Sequence, residues 1–370
     1  MNAGLRRELE SAGLEIAGDG ERIHVVPADV ASLARAVARI RRAGARIGVR
    51  GDGDGARTGT EAVLDLRKLN RVIAIDAATG IARVEAGCRV RDLEAAVQRA
   101  SATLGPLLPS VCGGSVGAWL AGPTRGERGI PGARRETAAL AVSVILPDGR
   151  IAESRAAPRS ATGPDLDHLA LGGEGRLFVI AGAVIRLFPS APSCAAAFRV
   201  PSLADAVDAV ARLCRDRLEP ARAVARLAGN GALLAFSWEG PSCGSLHRER
   251  AIRALDRQGW ALAAAVDPEE VLESSPGPGC LEVDAGWESL ARIAREGPAS
   301  LLSFFGLHAG GAFAVVDRGR PLETSALALR GPGLRVLAPG SQRDAGPGWE
   351  AMGASGAWER LAAALGVERA

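Results

Sequence analysis

The sequence has no tyrosine, one lysine (Lys68) and only four histidines. With no tyrosine there is no phenol to serve as a base. A single lysine argues against a Schiff-base enzyme. The six cysteines are scattered without a C-x-x-C pair, and six in a chain of 370 residues do not make a disulfide scaffold. Reduced thiols are the expectation. Net charge is only +3, and no basic run is interleaved with aromatics, so nucleic acid is not the expected partner. No long hydrophobic run occurs. The most apolar window, LFVIAGAVIRLFP, is too short to span a bilayer and contains Arg186. The first residues, MNAGLRRELESAGLEIAG, lack an apolar h-region. The expectation is a cytoplasmic protein without a transmembrane segment.

What is present is a mixture of short strands and helices without strict alternation. Ile23–Pro27 is a short apolar run stopped by proline, and reads as a strand. Asp29 then precedes apolar residues at helical spacing, Val30, Leu33, Val37 and Ile40, and Gly44 is the expected stop. ARIGV and AVLDL follow as strands. Two alternating strands surround a turn at residues 77–80, and RVRDLEAAVQRAS reads as a helix. Residues 107–132 read as glycine-rich and irregular. LAVSVILPDGRIAES reads as a hairpin with its turn at PDG, and LFVIAGAVIRLFP as a buried strand. PSAPS (residues 189–193) marks a boundary, after which the order strand, helix, two strands, helix, strand is ferredoxin-like. Residues 267–278, acidic and rich in Pro, Gly and Ser, read as a loop. No internal repeat is visible. The class is α+β.

The stretch with the most chemical content is Arg46–Thr60, RIGVRGDGDGARTGT. It fails the dinucleotide fingerprint, because Ala56 or Thr58 stands where the third glycine belongs, and it lacks the GK[ST] of a phosphate loop. An EF-hand starting at Asp52 would need a glutamate where Val63 stands. A tight loop with aspartates capping their own backbone remains open. In an extended loop Gly51, Gly53 and Gly55 share one face, with Asp52 and Asp54 on the other. A carboxylate turned toward a phosphate at 4 Å would cost about 4 kcal/mol at an effective dielectric of 20. A phosphate therefore requires both aspartates to point outward.

The order of motifs resembles the FAD-linked oxidases of the PCMH type, the vanillyl-alcohol-oxidase-like family. Arg50–Gly55 stands for the loop that holds the FAD pyrophosphate. VCGGSVGAWLAGP (residues 111–123) resembles the second flavin-contacting stretch. GPDLDHLALGGEGRLFVIAGAVIRLFP (residues 163–189) resembles the closing GYDL…GSEGTLGVIT segment. The short chain and LAGPTRG are most similar to the smaller flavin subunit of glycolate oxidase. The resemblance implies three regions: an FAD-binding domain over 1–190, a ferredoxin-like substrate or cap domain over 191–345 and a helical tail over 346–370. It implies FAD contacts from Arg50, Gly51, Asp52, Gly53, Asp54, Gly55, Pro109, Cys112, Gly113, Gly114, Gly117, Glu174, Gly175, Val179 and Ile180.

The implied activity is oxidation of a 2-hydroxy acid such as glycolate or lactate, with hydride transfer to flavin. The implied partners are a second flavin subunit and an iron–sulfur subunit. No metal is implied. With no histidine in the first loop, the FAD would be held non-covalently. Arg125, Arg135 and His308 are the candidates for binding a substrate carboxylate, and no residue is assigned as the catalytic base. The chain departs from the family at Phe178, where glycine is usual, at Pro164, where tyrosine is usual, and in having no paired histidines. These departures keep a second reading open, a divergent non-catalytic subunit or scaffold of a flavin oxidase complex, with weak or no FAD binding.

Overall fold

The computed structural model describes residues 2–17, 22–51, 60–105, 109–122, 138–157, 167–190, 193–239, 243–274, 281–296, 299–308, 311–317 and 335–337. These fall into two units that meet in sequence at Pro189 and Ser190. The expected helical tail over 346–370 lies outside the described residues.

The first unit contains two main sheets. Strands β1 (Ile16–Ala17), β2 (Ile23–Val25), β3 (Ile47–Arg50) and β4 (Ala62–Asp65) form the first, in the order β1-β2-β4-β3. Both β2 and β3 run parallel to β4. Helix α1 (Asn2–Ser11) packs on α2 (Val30–Arg42), and α2 makes the β2-to-β3 crossover. Asp29 caps α2 in a capping box, accepting from Ser32 N–H at 2.6 Å while the Ser32 hydroxyl accepts from Asp29 N–H. The helix buries Leu33, Val37 and Ile40, the residues whose spacing predicts it. Burial of each is worth about 1.5–3 kcal/mol.

The second sheet is antiparallel. Its strands are β5 (Val72–Asp76), β6 (Ile81–Glu85), β8 (Ala139–Ile145), β9 (Ile151–Glu153) and β10 (Val179–Arg186), in the order β5-β6-β10-β8-β9. Strand β7 (Ala102–Thr103) pairs with β11 (Phe188–Pro189). Helix α3 (Val90–Gln98) follows β6. Two short helices, α4 (Pro109–Cys112) and α5 (Val116–Ala121), occupy part of the span expected to be irregular. Ser115 explains α5: its hydroxyl accepts from Ala118 N–H, an N-cap for an apolar run that buries Val116, Trp119 and Leu120. Helix α6 (Asp167–Ala170) precedes β10. The two sheets are tied through Gly149, at the tip of the β8–β9 hairpin. Its φ is +87°, and a β-carbon there would lie 2.7 Å from the β-carbon of Ala38 on α2.

The second unit is one antiparallel sheet of eight strands: β12 (Ser193–Val200), β13 (Arg222–Ala228), β14 (Gly231–Glu239), β15 (Ala261–Leu262), β16 (Leu281–Gly286), β17 (Leu301–His308), β18 (Gly311–Asp317) and β19 (Arg335–Leu337). Helix α7 (Leu203–Arg215) follows β12, α8 (Cys243–Asp256) follows β14, α9 (Pro268–Leu272) follows β15 and α10 (Trp287–Glu296) follows β16. The order is β15-β12-β14-β13-β17-β18-β16-β19. Numbered within each half, this is 4-1-3-2 followed by 2-3-1-4. The first four strands are the expected ferredoxin-like arrangement. The last four repeat it in mirror order, joined through β13 and β17. The repeat corrects the expectation of none. It was hidden because the two halves share topology with little sequence, LAGNGALLAFSW against GLHAGGAFAVVD. Residues 267–278, expected to form a loop, begin with α9, capped by Asp267 with proline at its first turn.

Candidate functional site

Strand β3 ends at Arg50 and Gly51 beside α5. A β-carbon on Gly51 would stand 2.1 Å from Ser115 Oγ and 2.9 Å from Ser115 Cβ. Only glycine permits that approach, so the first glycine segment and the second are packed against each other. The second segment is anchored from below. Val116 N–H donates to Cys88 O at 2.8 Å and Gly117 N–H to Ala86 O at 2.7 Å, while Val90 N–H donates to Gly114 O. A β-carbon on Gly117 would lie 3.0 Å from that of Ala86.

The third segment closes the group. Gly172 N–H donates to Leu120 O and Glu174 N–H to Ala121 O, each at 2.8 Å, so the turn is strapped to the end of α5. Gly175 has φ +71°, and its β-carbon would lie 3.1 Å from Val49 Cγ2 on β3. Arg41 of α2 reaches the same turn, donating to Arg176 O at 3.0 Å. Burial pulls the Arg41 pKa below the usual guanidinium value. Glu174 sits at φ +52°, a strained value for a side-chain-bearing residue, and its carboxylate is 3.6 Å from Arg176.

Three segments far apart in sequence, at 49–51, 112–121 and 172–176, thus meet through backbone and small side chains. Such a surface suits a pyrophosphate, which needs main-chain N–H groups and space rather than long side chains. The electrostatics agree. Arg50 stands opposite Asp65 in the β3–β4 register. Burial alone would raise the Asp65 pKa, but hydrogen bonds from Arg67 and the charges of Arg67 and Arg50 bring it below the usual value. Arg67 Nη2 is 2.6 Å from Asp65 Oδ2. That carboxylate is neutralised where it stands. A surface poor in side chains and carrying Arg50 is compatible with the pyrophosphate that FAD carries.

Of the residues expected to contact FAD, the fold gathers Arg50, Gly51, Cys112, Gly113, Gly114, Gly117, Glu174 and Gly175 into these three segments, with Pro109 at the start of α4. The N–H groups of Gly114, Gly117 and Glu174 are already committed to Val111, Ala86 and Ala121, so these residues shape the surface. Val179 and Ile180 begin β10, pair with Ile145 and Val144, and bury their side chains in the second sheet. Phe178, just before them, is half-buried. Asp52, Gly53, Asp54, Gly55, Arg125 and Arg135 lie outside the described residues. His308 ends β17 in the second unit. Two contributors escaped the sequence reading. Ser115 carried a signal, a serine three residues before the amide it caps. Arg41 carried none, since nothing in an arginine-rich helix marks the one that reaches Arg176.

The family model described as "FAD binding domain" matches residues 22–155. That span covers the first two converging segments. Over that span the chain is similar to FAD binding domains. The chain is 31% identical over 158 residues to D-lactate dehydrogenase of Archaeoglobus fulgidus, covering 42% of this chain and 35% of that protein. It is 26% identical over 185 residues to alkyldihydroxyacetonephosphate synthase of Dictyostelium discoideum, covering 50% of this chain and 30% of that protein. An uncharacterized FAD-linked oxidoreductase of Escherichia coli is 28% identical over 130 residues, 35% of this chain and 27% of that protein. The chain therefore spans about a third or less of these relatives' length. A solved structure of alkyldihydroxyacetonephosphate synthase superposes with a TM-score of 0.63 at 18% identity, covering 83% of this chain and 72% of that one. The matched family binds FAD, and one of the similar proteins is named an FAD-linked oxidoreductase. Among the described residues no helix is long and apolar enough to cross a membrane.

Proposed function

We propose that this chain oxidises a small 2-hydroxy acid of the glycolate or lactate class, with non-covalently held FAD as the hydride acceptor. The observation that carries the reading is the packing of Gly51 on Ser115 and of Gly175 on Val49, which joins three side-chain-poor segments into one surface. The likeness to a D-lactate dehydrogenase supports the substrate class. Another relative is named a synthase, so the domain alone does not select the reaction. When bound, FAD supplies the redox chemistry. The residues of this chain contribute binding and orientation: main chain at Gly51, Gly113 and Gly175, and positive charge at Arg50. Electrons would leave to a second flavin subunit and an iron–sulfur subunit in the cytoplasm. A second reading, a non-catalytic subunit that retains the fold, is favoured by Phe178 in place of the family's glycine.

The test is an absorption spectrum after desalting from excess FAD, followed by anaerobic addition of glycolate or D-lactate. Flavin bands that persist, bleach with either acid and are released by acid precipitation support the proposal. Bands that persist and never bleach support the second reading. A colourless protein overturns the oxidation and leaves only the second reading, as a scaffold that holds no FAD.

A further inference from the structure

Three of the five residues in the turn at 172–176 have positive φ: Gly172 at +73°, Glu174 at +52° and Gly175 at +71°. Glycine adopts such values without cost, but Glu174 carries a β-carbon and does not. Something must hold Glu174 there. On one side α5 does, through the bonds from Gly172 N–H to Leu120 O and from Glu174 N–H to Ala121 O. Inside the turn Arg176 N–H donates to Gly173 O at 2.9 Å. On the other side stands α2, whose Arg41 Nη2 donates to Arg176 O at 3.0 Å.

Arg41 is a costly residue to keep in that position. It is half-buried, and burial lowers its pKa. Among the described residues its guanidinium has this one hydrogen bond and no carboxylate partner. A partly dehydrated cation without a counter-ion needs a compensating interaction. The C-terminal end of α2 does not call for it, since Arg39 and Arg42 share the last turn. Arg39 reaches Glu8 at 3.3 Å, and Arg42 is exposed. What Arg41 alone does is hold the last carbonyl of the strained turn, with a charged donor that binds more strongly than a neutral one.

We infer that Arg41 is a positioning residue, a clamp from α2 that keeps Glu174 in its left-handed conformation and so sets Gly175 against Val49 and the third segment against β3. The inference rests on the FAD reading and deepens it by naming what fixes the third segment of that surface. Arg41 acts through the turn and not by touching the cofactor.

The experiment compares full-length wild type, R41M, E174G and R41M/E174G by amide hydrogen exchange without FAD, and by FAD dissociation read as the recovery of free-flavin fluorescence on dilution. Methionine keeps the apolar bulk of the side chain without a donor, and glycine takes the φ of Glu174 without strain. R41M speeds exchange in the peptide carrying residues 172–176 roughly tenfold, and leaves residues 33–40 of α2 unchanged. In the E174G protein the same change speeds exchange by about threefold or less, because an unstrained turn needs less holding. FAD dissociation follows: R41M accelerates it strongly in the Glu174 protein and weakly in the E174G protein. An arginine that merely packed the end of α2 would loosen α2 itself and would show no coupling to residue 174. Wild-type exchange in R41M, or equal effects of R41M in both backgrounds, overturns the clamp. Faster exchange with unchanged FAD dissociation overturns its role in placing the cofactor surface. The exchange arm needs no flavin, so the coupling seen in a protein that never retains FAD keeps the clamp and rejects the FAD reading.

Discussion

Gly51 and Ser115, 64 positions apart in sequence, sit so close that a methyl group on the glycine would overlap the serine hydroxyl at 2.1 Å. Any G51A variant must push β3 away from α5 or turn Ser115 out of its capping position. Such overpacking costs about 1–3 kcal/mol. The expected result is a lower melting temperature and the loss of most retained flavin absorbance after desalting. The S115A change alone removes a helix cap at about 1 kcal/mol. Because it also removes the first atom of the clash, the double variant G51A/S115A should be less destabilised than the sum of the singles. Strict additivity in thermal melts would show that the two residues do not share a contact.

Gly175 presents a different constraint. Its φ of +71° is a left-handed conformation, and its neighbour across the gap is Val49. G175A pays the backbone penalty of about 1–2 kcal/mol whatever the space around it. Shortening the neighbour with V49A relieves the 3.1 Å contact but not the backbone. The prediction is a partial rescue of flavin retention in G175A/V49A with little recovery of the melting temperature. Full recovery of both would mean that sterics alone fix this glycine.

These two glycines show how far the sequence carries. The local elements were readable: Leu33, Val37 and Ile40 announce α2, PDG announces the β8–β9 hairpin, and the glycine segments announce themselves by composition. Their convergence was not readable from pattern. That Gly51 meets Ser115 and Gly175 meets Val49 depends on a parallel β2-β4-β3 sheet and an antiparallel β6-β10-β8 sheet being tied together, through Gly149 on α2 among other contacts. Periodicity reports which face of an element is apolar and says nothing of which element covers it. The repeat in the second unit was hidden for the same reason. Strand order is a property of long-range pairing, and a topology can recur with almost no residues in common.

Asp29 gives a pH test of local stability. Hydrogen bonds from the Ser32 backbone and side chain hold its pKa below the ordinary value of 3.8. A carboxylate with a depressed folded-state pKa stabilises the fold above its unfolded-state pKa, and that contribution is lost as pH falls through the folded-state value. D29A should therefore cost about 1 kcal/mol at neutral pH, the ordinary value of a helix cap. The difference between wild type and variant should shrink as the pH drops below 3.8. Denaturant midpoints measured at neutral pH and in acid check the sign. A difference that grows in acid would contradict it.

The cysteines offer a probe of the candidate flavin surface that needs no turnover. Burial raises the Cys88 thiol to about 11, with help from the charges of Asp92 and Glu85, and raises Cys214 to about 12. Thiolate is the reactive form, so both should resist iodoacetamide in the folded protein near neutral pH. Cys112 is half-buried and lies in the second glycine segment, next to Gly113. It should alkylate well ahead of Cys88, as read by peptide mass spectrometry. If FAD rests on the three converging segments, added FAD should slow labelling at Cys112 and leave half-buried Cys194, in the strand β12, unchanged. Equal protection of both cysteines would point to a general tightening of the fold. Protection of neither, in a protein that retains flavin colour, would move the cofactor away from α4 and α5.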